Sequence, residues 1–381
     1  MLCCSFSFGT VFFLSKGYSN GETGAILAAA SILSVLAQPA AAVLADRSER
    51  ISMKQLIVIL SAAGAALAAA RFFCSNVPAV PAVLFVLEQA VVGALQPLMN
   101  ALGVQVMNRG GKINFGLSRG TGSMTYAVVS ILLGLFLRIA KTDVLPLFSI
   151  AFYAAFAVSV VKFPADRHCE TKKETPPEGL HGEGRPPRAK ADVRFLLLLV
   201  AVALAFCSQS MIGSFMINIV KHVGGTAENV GITNGISAAI EMPAMTMFAL
   251  LIKKYRSGTL LKVSFAVFVC KALATMLAPS VAALYLVQAL QFGAYALFIP
   301  ASVYYANEVI PESSLAKGQA ALTTAATFGG VAANLLGGWI LDGFGVGMML
   351  AVSVLSAVVG CAVGLPAIRR GRTLQTKDSE A

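Results

Sequence analysis

Charge is scarce in this sequence. Only 12% of its residues are Asp, Glu, Lys or Arg, about half the share found in a water-soluble domain, which excludes an ordinary soluble fold. Histidine is nearly missing, with three in 381 residues. His168 and His181 fall in a polar stretch and His222 at the end of an apolar run, so an intramembrane histidine centre has no material. Cys3, Cys4, Cys74, Cys207, Cys270 and Cys361 lie in apolar runs, Cys169 lies in the polar stretch, and no pair has metal-ligand spacing. They read as small apolar residues rather than ligands. No phosphate-binding glycine loop is present. Neither a metal nor a cofactor is expected. No basic leader with a small-residue cleavage site precedes Lys16, so the first apolar run is expected to be a helix, close to the minimum length for a span.

Apolar residues fill the space that charge leaves. They make up 57% of the chain, and the mean hydropathy is +0.77. The runs approach the roughly 20 residues that cross a bilayer as a helix, not the alternating segments of about 10 that build a barrel. The expected fold is all-α: a polytopic membrane protein of twelve transmembrane helices at about 1–18, 21–44, 54–75, 79–107, 118–140, 143–163, 193–221, 226–252, 258–278, 280–307, 313–341 and 345–367. The net charge of +11 sits in the connecting loops. About 23 Lys and Arg fall on one side and 5 on the other. This predicts a multi-pass protein of the cell (inner) membrane with both termini cytoplasmic. The basic residues thus read as topology signals facing lipid, not as a nucleic-acid surface, and a monomer is expected. Residues 164–192 hold the run TPPEGLHGEGRPPR, which has linker composition. It separates a bundle at 1–163 from one at 193–367, with 368–381 as a cytoplasmic tail.

Sliding the second part back by about 200 residues sets Arg71 on Lys271, Glu88 on Gln288, Gly93 on Gly293 and Ala94 on Ala294. Two pseudo-symmetric six-helix bundles with a site near the midplane are one transporter plan. Ionisable residues within spans are costly and face a cavity or a partner. Glu88, Glu241, Lys271 and Arg71 are of this kind. With a rise of about 1.5 Å per residue, Glu241 and Lys271 match in height within a turn, and so do Arg71 and Glu88. Each couple is expected to pair, either as a protonatable coupling site or as a static buried pair. Amides form stripes: Gln89, Gly93, Gln96 and Asn100 on one helix, and Gln288, Gln291 and Tyr295 on another. They read as a cavity wall or as interhelical glue. Gln209 and Tyr126 are further candidates. Asp46, Arg47 and Arg50 either gate the cytoplasmic face or set topology.

Several motifs carry a family resemblance. The run ADRSER (Ala45 to Arg50) ends the second helix. Arg119, Gly122, Ser123 and Tyr126 follow the pattern R-x-x-G-S-x-x-Y. Glu241-Met242-Pro243, Lys271, NEVIPESSLAKGQA and GGWILDGFG complete the set. The chain resembles the major facilitator superfamily, in the branch of lactose permease-like, nucleoside and phenylpropionate proton symporters. The resemblance implies alternating-access uptake of a small-molecule substrate with a co-transported proton. Export of a drug or metabolite is the alternative, and a membrane-embedded enzyme or receptor is the least favoured reading. Where the branch often bears a histidine this chain has Gln291, so coupling rests on a carboxylate or is absent. Sugars, nucleosides and aromatic acids all fit an amide-lined cavity. Lys271 and Arg71 incline the reading toward a solute with a carboxylate or many hydroxyls.

Overall fold

Hydrocarbon offers the backbone no hydrogen-bonding partner, so an apolar chain satisfies its own N–H and C=O groups by winding into helices. The computed structural model describes residues 3–47, 51–77, 79–108, 115–163, 193–310 and 315–368, and among these all regular structure is helical. The α-helices are α1 Gly9–Ser15, α2 Asn20–Arg47, α3 Met53–Phe73, α4 Val80–Asn108, α5 Phe115–Phe136, α6 Leu145–Lys162, α7 Val193–Ser214, α8 Met216–His222, α9 Ala227–Lys254, α10 Ser257–Met276, α11 Val281–Val287, α12 Leu297–Val309 and α13 Leu315–Ala367. Among the described residues, 9 stretches are long and apolar enough to cross a membrane, and Gly120–Phe136 is a shorter apolar helix.

Three irregularities depart from the expected helices, and each has a local cause. Helix α13 runs for 53 residues, which would extend about 80 Å if straight. Gly345 interrupts it at φ 78°, a left-handed conformation that glycine adopts without a Cβ clash. Gly329 before this break and Gly360 after it face the same stretch of α7, against the carbonyls of Ala203 and Ala201. The two arms therefore double back at Gly345. The run at 193–221 breaks at Phe215 into α7 and α8, and the Thr10 hydroxyl donates to the Ser214 carbonyl there at 2.5 Å. The run at 280–307 holds a 3₁₀ turn, Gln288–Gln291, and a π turn, Phe292–Ala296, between α11 and α12.

The break at Phe215 has a counterpart. A π turn, Cys3–Ser7, is followed by Phe8 at φ −115° and then α1; Phe215 has φ −108° and is followed by α8. Each short helix is 7 residues long and is followed by a left-handed glycine, Gly17 at φ 86° and Gly224 at φ 81°. Phe8 to Phe215 and Gly17 to Gly224 are both steps of 207 residues.

Packing divides along the chain. At the end that carries the basic loops, called here the basic end, two cores are separate. One gathers Ala41, Leu56, Ile57, Leu95, Leu98 and Val160. The other gathers Leu198, Leu260, Leu261, Phe265, Ala306 and Ile368. Toward the far end a single core takes residues from both parts: Phe8, Phe12, Phe13, Phe85 and Leu145 with Phe215, Ile219, Val230, Leu284 and Leu341. Two seams join the parts, α5 on α9 and α2 on α13. Small residues let the backbones meet, as is usual between membrane helices. A Cβ on Gly231 would stand 2.5 Å from the Ser130 carbonyl oxygen, and one on Gly134 would stand 2.8 Å from that of Glu228. Gly24 and Gly338 likewise abut the carbonyls of Asn334 and Asn20.

Gly231→Val should therefore overpack the α5–α9 seam at a cost of about 1–3 kcal/mol and lower the thermal unfolding midpoint. Gly213→Ala, with open space around its Cβ, should leave the midpoint unchanged or slightly raised. Melting of the two purified variants checks this.

Candidate functional site

A cavity of about 400 Å³ lies between α2 and α4 on one side and α7, α12 and α13 on the other. Helical spacing builds its walls, since residues three and four apart share a face. Helix α2 contributes Ser31, Ser34 and Gln38; α4, Phe85 and Gln89; α7, Phe206, Ser210 and Ser214. Helix α12 contributes Phe298 and Ser302, with Tyr295 from the π turn before it, and the first arm of α13 contributes Thr323, Thr327 and Asn334. Phe206 packs edge-on to Phe298 and to Tyr295, with centroids 5.2 and 6.0 Å apart. No charged side chain stands among the described residues lining the cavity.

The charges lie behind the walls. Arg71 on α3 pairs with Glu88 on α4 at 2.8 Å, with side chains 1% and 0% exposed. The guanidinium also lies over the rings of Phe12 and Phe85, 5.1 and 5.5 Å from their centroids, a cation–π arrangement. Ser149 and Tyr153 of α6 are buried near this pair, and the Tyr153 hydroxyl has no hydrogen-bond partner among the described residues. On the other side, Lys271 on α10 is 3% exposed. Its ammonium donates to Gln291 Oε1 at 2.5 Å and to Gln209 Oε1 at 3.2 Å. Gln291 Nε2 in turn donates to Glu241 Oε1 on α9 at 3.2 Å. The expected Glu241–Lys271 couple is thus linked through an amide, which accepts from the cation and donates to the anion.

The remaining sequence candidates scatter. Tyr295 lines the cavity. Gln288 is buried and turns back to the Leu284 carbonyl of its own helix. Tyr126 shares a 2.5 Å hydrogen bond with Ser7. Gln96 and Asn100 are exposed, outside the cavity lining, while Gly93 packs against Ser34 of α2. Asp46 and Arg47 end α2, with their side chains outside the description, and Arg50 lies outside the described residues. Sequence reading passed over the hydroxyls of α2, α7 and α13. Their spacing, such as Thr323, Thr327, Gly330 and Asn334 in steps of four, three and four, was the available signal.

The far end is tied across the two parts. The Asp342 carboxylate caps the start of α2, accepting from Asn20 N at 3.0 Å, Asn20 Nδ2 at 2.8 Å and Gly21 N at 2.6 Å. Asn218 Nδ2 donates to Asn20 Oδ1 at 2.7 Å. Arg138 at the end of α5 lies 3.8 Å from Glu228 at the start of α9. A carboxylate at a helix N-terminus meets unpaired N–H groups and the positive end of the helix dipole.

Arg71→Leu should leave Glu88 charged and unpaired in the interior, a cost of about 3–5 kcal/mol. Arg71→Leu with Glu88→Leu should recover most of it. Melting of both variants, read as a double-mutant cycle, checks this.

The MFS_1 like family matches residues 1–352 of the chain. A maltose permease from Geobacillus stearothermophilus is 26% identical over 388 residues, covering 97% of this chain and 93% of that protein. Among solved structures, the nucleoside transporter NupG superposes with a TM-score of 0.74 at 14% identity, covering 96% of this chain and 95% of that one. FucP, a major facilitator superfamily transporter in the outward conformation, superposes with a TM-score of 0.53 at 16% identity, covering 97% and 98%. A helical chain with a cavity between two seamed parts, matched along nearly its whole length, belongs to the MFS_1 like family and is a transporter of the major facilitator superfamily.

Proposed function

We propose that the chain is a secondary transporter that carries a small organic solute across the cell membrane by alternating access of two halves, residues 1–163 and 193–367. The observation that carries this is a cavity walled by both halves and closed at the far end: one shared core and the Asp342 clamp lie there, while the described residues of the basic end form two separate cores. The recurring break at Phe8 and Phe215 supports the two-fold relation. Twelve crossings follow when the division of α13 at Gly345 is counted and the segments through Cys3–Ser15 and Phe115–Phe136 are included. The positive-inside bias puts the basic end and both termini in the cytoplasm, so this state opens inward. The names maltose permease and nucleoside transporter are in keeping with a small organic cargo.

Proton coupling rests on Glu241. It is half-buried and tied to Lys271 through one amide. Protonation removes its charge and weakens the hold of Gln291, and a change in the halves that parts the link favours that protonation. In vesicles holding the purified protein, an imposed inward proton gradient should drive concentrative uptake of the carried solute. Uptake indifferent to collapse of the gradient would refute the coupling, and outward movement alone would mean export. Glu241→Gln should lose accumulation yet keep solute exchange, because the amide mimics the protonated acid. Asp342→Ala should release the far end. A cysteine placed at Ser31 should then react several-fold faster with an impermeant thiol reagent added outside, and an unchanged rate would remove the clamp from the mechanism.

A further inference from the structure

We infer that residues 288–296 form a two-position helical switch: wound as it is here, the segment sets Gln291 between Lys271 and Glu241, and wound as a regular α-helix it withdraws Gln291 from both. Its use as a link between the cavity and Glu241 rests on the transport reading; the winding itself stands on the geometry.

Consider first how the segment is wound. The 3₁₀ turn Gln288–Gln291 is tighter than an α-helix, and the π turn Phe292–Ala296 that follows is wider. A 3₁₀ turn has about 3.0 residues per turn against about 3.6 in an α-helix, an excess of about 20° per residue and about 80° over the whole turn. Gln291 closes that turn. Its side chain therefore points well away from the direction a regular helix would give it, and the wider π turn unwinds in the opposite sense.

Two side chains hold this winding. The Gln288 N–H bonds to the carbonyls of Tyr285 and Leu286 rather than to that of Leu284, and Gln288 Nε2 takes the Leu284 carbonyl instead, at 3.2 Å. The Ser264 hydroxyl of α10 donates to the Ala294 carbonyl in the π turn at 2.6 Å. Gly293 lets α10 stand that close, since a Cβ there would lie 3.1 Å from the Val267 side chain. A side chain that enters the backbone ladder is a known cause of helix distortion.

The other half of the chain supplies a control. The step of about 200 residues that sets Lys271 on Arg71 also sets Gly293 and Ala294 on Gly93 and Ala94. Yet α4 is an unbroken α-helix through 88–96. Both donors are missing there. Gly64 stands in the place of Ser264 and has no hydroxyl. Glu88 stands in the place of Gln288, paired with Arg71, and a carboxylate donates nothing. The same stretch is straight without the two donors and irregular with them, so both windings are within reach of this architecture.

The segment also joins two sites. Tyr295, in the π turn, lines the cavity and packs edge-on to Phe206. Gln291, one turn earlier, accepts from Lys271 and donates to Glu241. A solute that shifts Tyr295 changes the winding of the π turn, and the winding sets Gln291. Ser264 and Gln288 do not line the cavity; they are positioning residues for Gln291.

The test needs no solute. Hydrogen–deuterium exchange of the purified protein should find the backbone amides of 288–296 exchanging faster than those of 88–96, because distorted turns hold them less well. Ser264→Ala, and separately Gln288→Met, should slow exchange at 288–296 by about tenfold, toward the rate of 88–96. Ser264→Thr, which keeps the hydroxyl, should leave it at the parent's rate. Loss of a merely structural hydrogen bond would quicken exchange instead. A double-mutant cycle on melting isolates the link to Gln291: Ser264→Ala with Gln291→Leu should lower the melting temperature by clearly less than the two single shifts added, since the first change already withdraws Gln291. Exchange at 288–296 that matches 88–96 in the parent, exchange that quickens or stays the same in both Ser264→Ala and Gln288→Met, or melting shifts that simply add would overturn the inference. Each of those results leaves the transport reading untouched, which the proton-gradient assay tests by itself.

Discussion

At hydrocarbon depth no water is at hand, so an ionised side chain must be answered by the protein itself. That constraint organises this molecule. Arg71 is answered by Glu88 and by two aromatic faces, and Lys271 by two amide oxygens, one of which belongs to the residue that also holds Glu241. Because each charge is settled within its own half, the space between the halves is left to uncharged groups. The separation of charge from cavity follows from where helices α3 and α10 stand, behind α4 and α12 as seen from the centre.

The two halves meet unequally at their ends. At the far end glycines bring backbones into contact, aromatic and aliphatic side chains of both halves share one core, and a carboxylate caps a helix across the seam. Lipid gives apolar side chains no strong reason to prefer each other over its tails, so close packing and hydrogen bonds hold such a seam. Interactions of that kind are individually modest, and here many of them act together along one seam. The cavity lies where that seam ends, and its walls come from both parts of the chain.

Gln291 sits at a mechanical irregularity. It ends a 3₁₀ turn, and a π turn carrying Tyr295 follows at once. Such turns recur at functional sites because they re-aim side chains within an otherwise continuous helix. Here one face of the distorted segment reaches the charge network and the other reaches the cavity. A single short stretch thus touches both.

Much of the fold was legible in the order of the residues. The scarcity of charge, the apolar runs and the one-sided placement of Lys and Arg stated the membrane class and the helical content, because transfer of backbone and charge into hydrocarbon admits few other solutions. The positions of Glu88, Arg71, Glu241 and Lys271 flagged costly groups before any geometry was known. The helical rise put Arg71 and Glu88 at one height, and they pair; most other contacts were not legible in the sequence. Gln96 and Asn100 share a spacing with Gln89, yet only Gln89 reaches the cavity, because helical periodicity defines a face but not what that face confronts. The Glu241–Lys271 link through Gln291, the Asp342 cap on α2 and the meeting of α2 and α4 with α7, α12 and α13 around the cavity each join residues far apart in the chain. Such contacts are decided by how helices pack, through close approach at small residues and the mutual satisfaction of buried polar groups, and only the tertiary structure fixes them.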